Sequence, residues 1–161
     1  MILYFLRHAD ALPAVDGDDE ARPLSPDGEA AMRSAASLWR RLNLRPELVA
    51  SSPLARAMRT AQLLCEGLGL ARDPVADGRL RPGAAWGDMA RVIAAHPMAR
   101  RVLFVGHEPD LSSVVAQLTG ASSVRMRKGG LACVEFPGTP EPGGGEIAWL
   151  IDPDLYAEHE A

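Results

Sequence analysis

Two cysteines in 161 residues, Cys65 and Cys133, are too few and too far apart for a disulfide framework, and neither belongs to a Cys-x-x-Cys pair. They read as buried, reduced thiols of an intracellular protein, since isolated cysteine behaves as a small hydrophobe. Metal-binding spacing is missing as well. The four histidines stand singly, with no His-x-x-x-His and no Cys/His pattern, so neither a metal nor another cofactor is expected. There is no basic excess: the formal net charge is -4, which argues against a general nucleic-acid binder and makes any anion site a local concentration of positive charge. Nor is there an apolar run of membrane-spanning length. Met1 to Leu6 is apolar but stops at Arg7-His8, too short for a signal peptide or a span. A cytoplasmic protein with no membrane and no nucleic-acid partner is expected. Repeats, interdomain linkers, basic amphipathic stretches and docking motifs are also lacking. Residues 1–161 read as one domain of ordinary globular usage, 47% hydrophobic and 24% charged.

What is present is an alternation of short apolar runs with longer amphipathic ones, the rhythm of an α/β sheet with helices on its faces. Ile2 to Leu6 is continuously apolar and reads as a strand buried on both faces. Asp10 to Pro23, rich in Asp, Gly and Pro, reads as a loop. Ser25-Pro26-Asp27 opens a helix with an N-cap serine, a proline at the first helical position and acids in the first turn, running to about Leu42 with Ala31, Ala35, Leu38 and Leu42 on one face. Leu48-Val49-Ala50 is a short strand, and Ser51-Ser52-Pro53 reads as a second N-cap and proline start, for a helix to about Gly67. Asp88 to Ala95 is predicted helical, Arg101 to Gly106 a strand, and Pro109-Asp110 the start of a helix ending near Gly120. Two strands, near Ala132 to Phe136 and Ile147 to Ile151, close the fold around a turn at Pro140 to Gly145.

Three strand ends then line up. Arg7 and His8 end the first strand, Arg56 lies in the first turn of the helix after the second, and His107 ends the strand from Val102 to Val105. Ligands of open parallel sheets bind at the carboxyl ends of the strands, so these four residues can converge on one crevice. Two guanidiniums, two imidazoles and a helix N-terminus suit a dianionic phosphate, because arginine supplies bidentate charge-assisted bonds and the helix end supplies free N–H groups.

The same segments resemble the histidine phosphatase superfamily. Leu6-Arg7-His8-Ala9 resembles its Arg-His-Gly signature. Arg22-Pro23-Leu24-Ser25-Pro26-Asp27-Gly28 resembles its Leu-Ser/Thr-x-x-Gly segment, and Ser51-Ser52-Pro53-Leu54-Ala55-Arg56-Ala57-Met58-Arg59-Thr60-Ala61 its Ser-Ser-Pro-x-x-Arg-Ala-x-x-Thr-Ala segment. Val105-Gly106-His107-Glu108-Pro109 resembles its second-histidine motif. The short chain is similar to the SixA-type branch, the phosphohistidine phosphatases. The resemblance implies a phosphoglycerate mutase-like, three-layer α/β/α sandwich around a mostly parallel central sheet, without a large cap. It also implies catalysis by His8, Arg7, Arg56 and His107. Neutral His8 would attack phosphorus, become phosphorylated and be released by water, while Arg7, Arg56 and His107 bind the phosphoryl oxygens. Two flanking arginines are expected to depress the pKa of His8.

Ala9 departs from the usual glycine, and no recognisable general-acid motif follows the second helix. Asp77 and Asp88 are the acids available there, Asp77 reading as a turn residue before Gly78. A weak general acid handicaps alkyl phosphates more than a phosphoramidate, whose imidazole leaves with a pKa of about 6.5. The substrate expected is therefore phosphohistidine on a phosphorylated protein, with a small phosphoester as the alternative and a phosphate-binding module without turnover as the distant one. Among other residues, Asp16 to Glu20 reads as a solvated loop, with a place bordering the site as the alternative, and Arg59 as either a phosphate contact or a salt-bridge partner. Lys128 reads either as a residue that reaches substrate or simply as part of a turn. Trp39 and Trp149 read as packing residues, Trp86 as a candidate for the pocket rim, and His96 and His159 as exposed and idle.

Overall fold

A computed structural model describes residues 1–159, with side chains to Tyr156, so the side chain of His159 lies outside the described residues. Along the chain run β1 (Ile2–Arg7), α1 (Pro26–Arg41), β2 (Leu48–Ser51), α2 (Ala55–Leu68), β3 (Val75–Ala76), α3 (Trp86–Ala95), β4 (Arg101–Gly106), α4 (Asp110–Thr119), β5 (Leu131–Glu135) and β6 (Glu146–Ile151), with 3-10 segments at Gly78–Leu80 and Pro153–His159. The strands form one sheet of order β3-β2-β4-β1-β5-β6. The first four in that order are parallel, whereas β5 pairs antiparallel with β1, and β6 with β5. β6 returns antiparallel to β5 because the two are joined by a turn with no helix to carry the chain back across the sheet.

Side chains alternate across each strand and divide the core into two halves. Tyr4, Leu6, Val49, Leu103, Val105, Leu131 and Cys133 meet α1 and α2 on one face. Leu3, Phe5, Ala50, Val102, Phe104, Ala132 and Val134 meet α3 and α4 on the other. This is the three-layer α/β/α sandwich, with no large cap above it among the described residues. Both cysteines are buried and free.

α1 begins where its sequence directs. The Ser25 side chain accepts from the Gly28 N–H at 3.0 Å, Pro26 is in the first turn, and Arg40 and Arg41 lie in the last turn. Its buried face is Met32, Ala35, Ala36, Leu38 and Trp39, and Ala31 and Leu42 sit at the edge of that face. Gly28 has no alternative: a Cβ there would stand 2.2 Å from the carbonyl oxygen of Asp10. α2 corrects the expected start. Ser51 belongs to β2, the helix is capped at Leu54 without a side-chain bond, and Arg56 is its second residue. β2 continues through Ser51, so Ser52 and Pro53 form the link rather than a cap. β3 and the two 3-10 segments went unpredicted because they are too short to show a periodicity.

Candidate active site

The strand register sets the level of the site. Arg7 is aligned with Gly106, and both Leu6 and Ser51 with Val105, so β1, β4 and β2 end side by side. The residues leaving those ends, His8, Ser52 and His107, are buried beneath a cleft of about 350 Å³. Its wall holds Arg7, His8, Arg56 and His107, all four sequence-predicted residues, together with Asp19, Arg22, Pro82, Glu108 and Lys128. Larger cavities of about 500 and 550 Å³ lie near the opposite ends of the strands, but they contain neither of these histidines.

His8 is 8% exposed. Its Nδ1 lies 2.7 Å from the carbonyl oxygen of Ala9, and a carbonyl can only accept, so Nδ1 carries the hydrogen and the lone pair of the neutral ring is on Nε2. The pKa is lowered to about 4. Burial is the largest cause, and the charges of Arg56, Arg7 and Arg22 add to it. The expected direction is therefore right, but desolvation leads and the arginines follow. His107 faces His8 with ring centroids 5.2 Å apart. Its pKa is also lowered to about 4, by burial first and then by the charges of His8 and Arg56. Ser52 Oγ stands 2.8 Å from His107 Nε2 and fixes the ring.

The arginines are held differently. Arg7 donates from Nη1 to the carbonyl of Met126 at 2.9 Å, and its buried Nε has no partner. Arg56 has a side chain only 6% exposed and also a buried, unpartnered Nε. Its Nη1 donates to the Asp19 carbonyl at 2.7 Å and its Nη2 to the Asp19 carboxylate at 3.0 Å. Thr60 ties the two halves of the site together, donating to the Arg56 carbonyl at 2.8 Å and accepting from the Ala9 N–H at 3.1 Å. The first N–H of α2, at Ala55, is taken by the carbonyl of Glu20, so the helix end is partly closed by the loop.

Other candidates fall elsewhere. Asp77 caps the first 3-10 segment and pairs with Arg79, and Asp88 caps α3 and pairs with Arg91; neither lines the cleft. Trp86 is half-buried against the core and also outside the cleft wall. Trp39 is fully buried, and Trp149 stacks on Tyr4. Arg59 is a salt-bridge partner, bonding Glu29 and Glu66. His96 is half-buried rather than exposed, its Nδ1 3.0 Å from the Val92 carbonyl at the end of α3. Lys128 does reach the cleft, its Nζ 2.7 Å from Asp10. The acidic loop takes its alternative reading: Asp19 is in the cleft wall, bordering the site, and not merely solvated. Its place depends on a loop without periodicity, and its only sequence signal was closeness to Arg22.

The family model described as histidine phosphatase superfamily (branch 1) matches residues 3–88. The chain belongs to that superfamily. As a histidine phosphatase it is a hydrolase of phosphorylated substrates. It is 36% identical over 115 residues to an uncharacterized protein of Picosynechococcus sp., covering 69% of this chain and 68% of the other. Its fold is similar to the protein histidine phosphatase SixA solved with tungstate (TM-score 0.84, 25% identity, 96% of this chain and 99% of that one). It is also similar to an Agrobacterium tumefaciens protein proposed to be the phosphohistidine phosphatase SixA (TM-score 0.79, 25% identity, 94% and 98%).

Proposed function

We propose that this histidine phosphatase removes the phosphoryl group from phosphohistidine on a protein, with His8 as nucleophile and Arg7, Arg56 and His107 binding the phosphoryl oxygens. The observation that carries the nucleophile is the Nδ1 bond to Ala9, which directs the neutral lone pair of a buried ring out through Nε2. Nε2 attacks phosphorus as the bond from phosphorus to the substrate imidazole breaks; the electron pair of that bond goes to the substrate nitrogen, and the ring, protonated from solvent on its other nitrogen, leaves as neutral imidazole. Water then attacks the phosphoryl group on His8, releasing orthophosphate and restoring the neutral ring. The guanidiniums and His107 neutralise the charge that grows on the oxygens in both steps.

The substrate class rests on the carboxylates. Asp77 and Asp88 are bonded away from the cleft, Asp19 is held by arginines, and Glu108 is bonded to the N–H and hydroxyl of Ser112. A leaving group that departs without a strong acid on the protein fits such a site, and imidazole, whose ring takes a proton from solvent with a pKa of about 6.5, is one. The similarity to SixA structures supports the same class. A small phosphoester is the second reading. It is favoured by Glu108, the one wall carboxylate not paired with a cation, which would have to leave Ser112 to serve as the acid.

The test is kcat/KM for a phosphohistidine-bearing protein domain beside that for p-nitrophenyl phosphate, with His8→Ala as control. Preference for the protein, lost in the variant, is the expected result. Equal or better hydrolysis of the ester moves the enzyme to the small-molecule phosphatases, and activity surviving in His8→Ala removes His8 as nucleophile.

A further inference from the structure

Arg56 is the most deeply buried guanidinium in the cleft wall, and two of its nitrogens are occupied by a residue of the same chain. The Asp19 carbonyl and carboxylate oxygens take Nη1 and Nη2, and the second carboxylate oxygen of Asp19 takes Nη1 of Arg22 at 2.9 Å. A carboxylate bridging two arginines, with a carbonyl oxygen beside it, is what part of a phosphoryl group would look like at this place. The segment that delivers it is fastened next door: Glu20 accepts from the Ala55 N–H through its carbonyl and pairs through its carboxylate with Arg81. The Asp19 side chain is nevertheless half-exposed, so rotation of its carboxylate alone would free Arg56 Nη2 while the backbone at Asp19 and Glu20 stays bound.

We propose that Asp19 is a specificity-determining residue that occupies the phosphate cradle of the resting enzyme and admits only ligands able to displace it. This rests on the reading of Arg56 as a phosphate-binding residue. A tethered monoanion competes with every incoming anion. A dianionic phosphoryl group gains more from the same cations than a monoanion does, and so displaces Asp19 where a phosphodiester or a carboxylate does not. The same competition expels product: once orthophosphate loosens, Asp19 returns to Arg56 and Arg22. A residue that merely braced Arg56 would act with the opposite sign, because its loss would loosen the guanidinium and weaken binding.

The experiment measures the dissociation constant of inorganic phosphate for the wild-type protein, Asp19→Asn, Asp19→Ala and Arg56→Ala, with dimethyl phosphate as the monoanionic probe. Both Asp19 variants are expected to bind phosphate about tenfold more tightly, the size of one charge-assisted contact at a half-exposed position. They are also expected to bind dimethyl phosphate, which the wild type rejects. Phosphate binding that is unchanged or weaker in both variants overturns the proposal while leaving Arg56 in place, provided Arg56→Ala binds less. Phosphate binding that is indifferent to Arg56→Ala overturns the cradle itself, and the role of Asp19 with it.

Discussion

His8 keeps 8% of its surface, gives its one ring hydrogen to the next carbonyl and sits beside two guanidiniums with buried nitrogens left unpaired. Burial and neighbouring positive charge act in the same direction on an imidazole, so the ring is neutral well into the acid range. On the proposed function, the unpaired Nε groups of Arg7 and Arg56 are donors held for the charge that grows on the phosphoryl oxygens. Replacing Arg56 with Ala is accordingly expected to lower kcat/KM by about 10² to 10³, the usual loss for one preorganised donor. Steady-state kinetics on either substrate class checks it, and a change within about threefold would take Arg56 out of phosphoryl binding. At this scale the sequence was legible where a residue closes a strand: Arg7, His8, Arg56 and His107 were each placed by the end of a recognisable element. Ser52 and Asp19 were not. Ser52 was read as a helix cap because serine before proline ordinarily is one, and only the neighbouring strand shows that it holds His107 instead. Asp19 meets Arg56 across 37 positions through a loop that has no pattern of its own.

Elements repeat the lesson. α1 could be read in full because its cap, its proline, its first-turn acids and its apolar stripe are all local signals that agree. β5 and β6 were found as strands, but their direction was not, since direction is decided by which strand they join. The glycine of the Leu24-to-Gly28 segment marks a contact between elements: α1 starts so close to the chain after β1 that Asp10 and residue 28 nearly touch, and Ser25 binds Asp10 by both backbone and side chain. Gly28→Ala must push a backbone carbonyl aside. The expected cost is about 1–3 kcal/mol, which is several degrees in Tm. Thermal unfolding of that variant beside Gly67→Ala, where the added methyl would meet the methyl of Ala36 at 2.8 Å, separates a clash with backbone from one with a side chain.

The molecule as a whole carries two neutral, buried histidines at one place, and this gives its stability a pH signature. Between about pH 6.5 and pH 4 the unfolded chain takes up a proton on each of His8 and His107 while the folded protein does not. The unfolded state then binds more protons, so stability is highest above pH 6.5 and falls as the pH drops through that window, by a few kcal/mol for the pair. Urea unfolding at pH 7.5 and pH 5 checks this, and a stability that is flat over the interval would contradict the burial of both rings. The sheet order has a different kind of consequence. β1 leads into His8 and lies in the interior of the sheet, yet its parallel partner is β4, with Ile2 opposite Arg101, and its other neighbour is β5, with Leu6 opposite Leu131. During synthesis the strand made first is therefore the one that waits longest. About a hundred residues must leave the ribosome before β1 gains a neighbour, and until then its apolar side chains are exposed to chaperones and to other nascent chains.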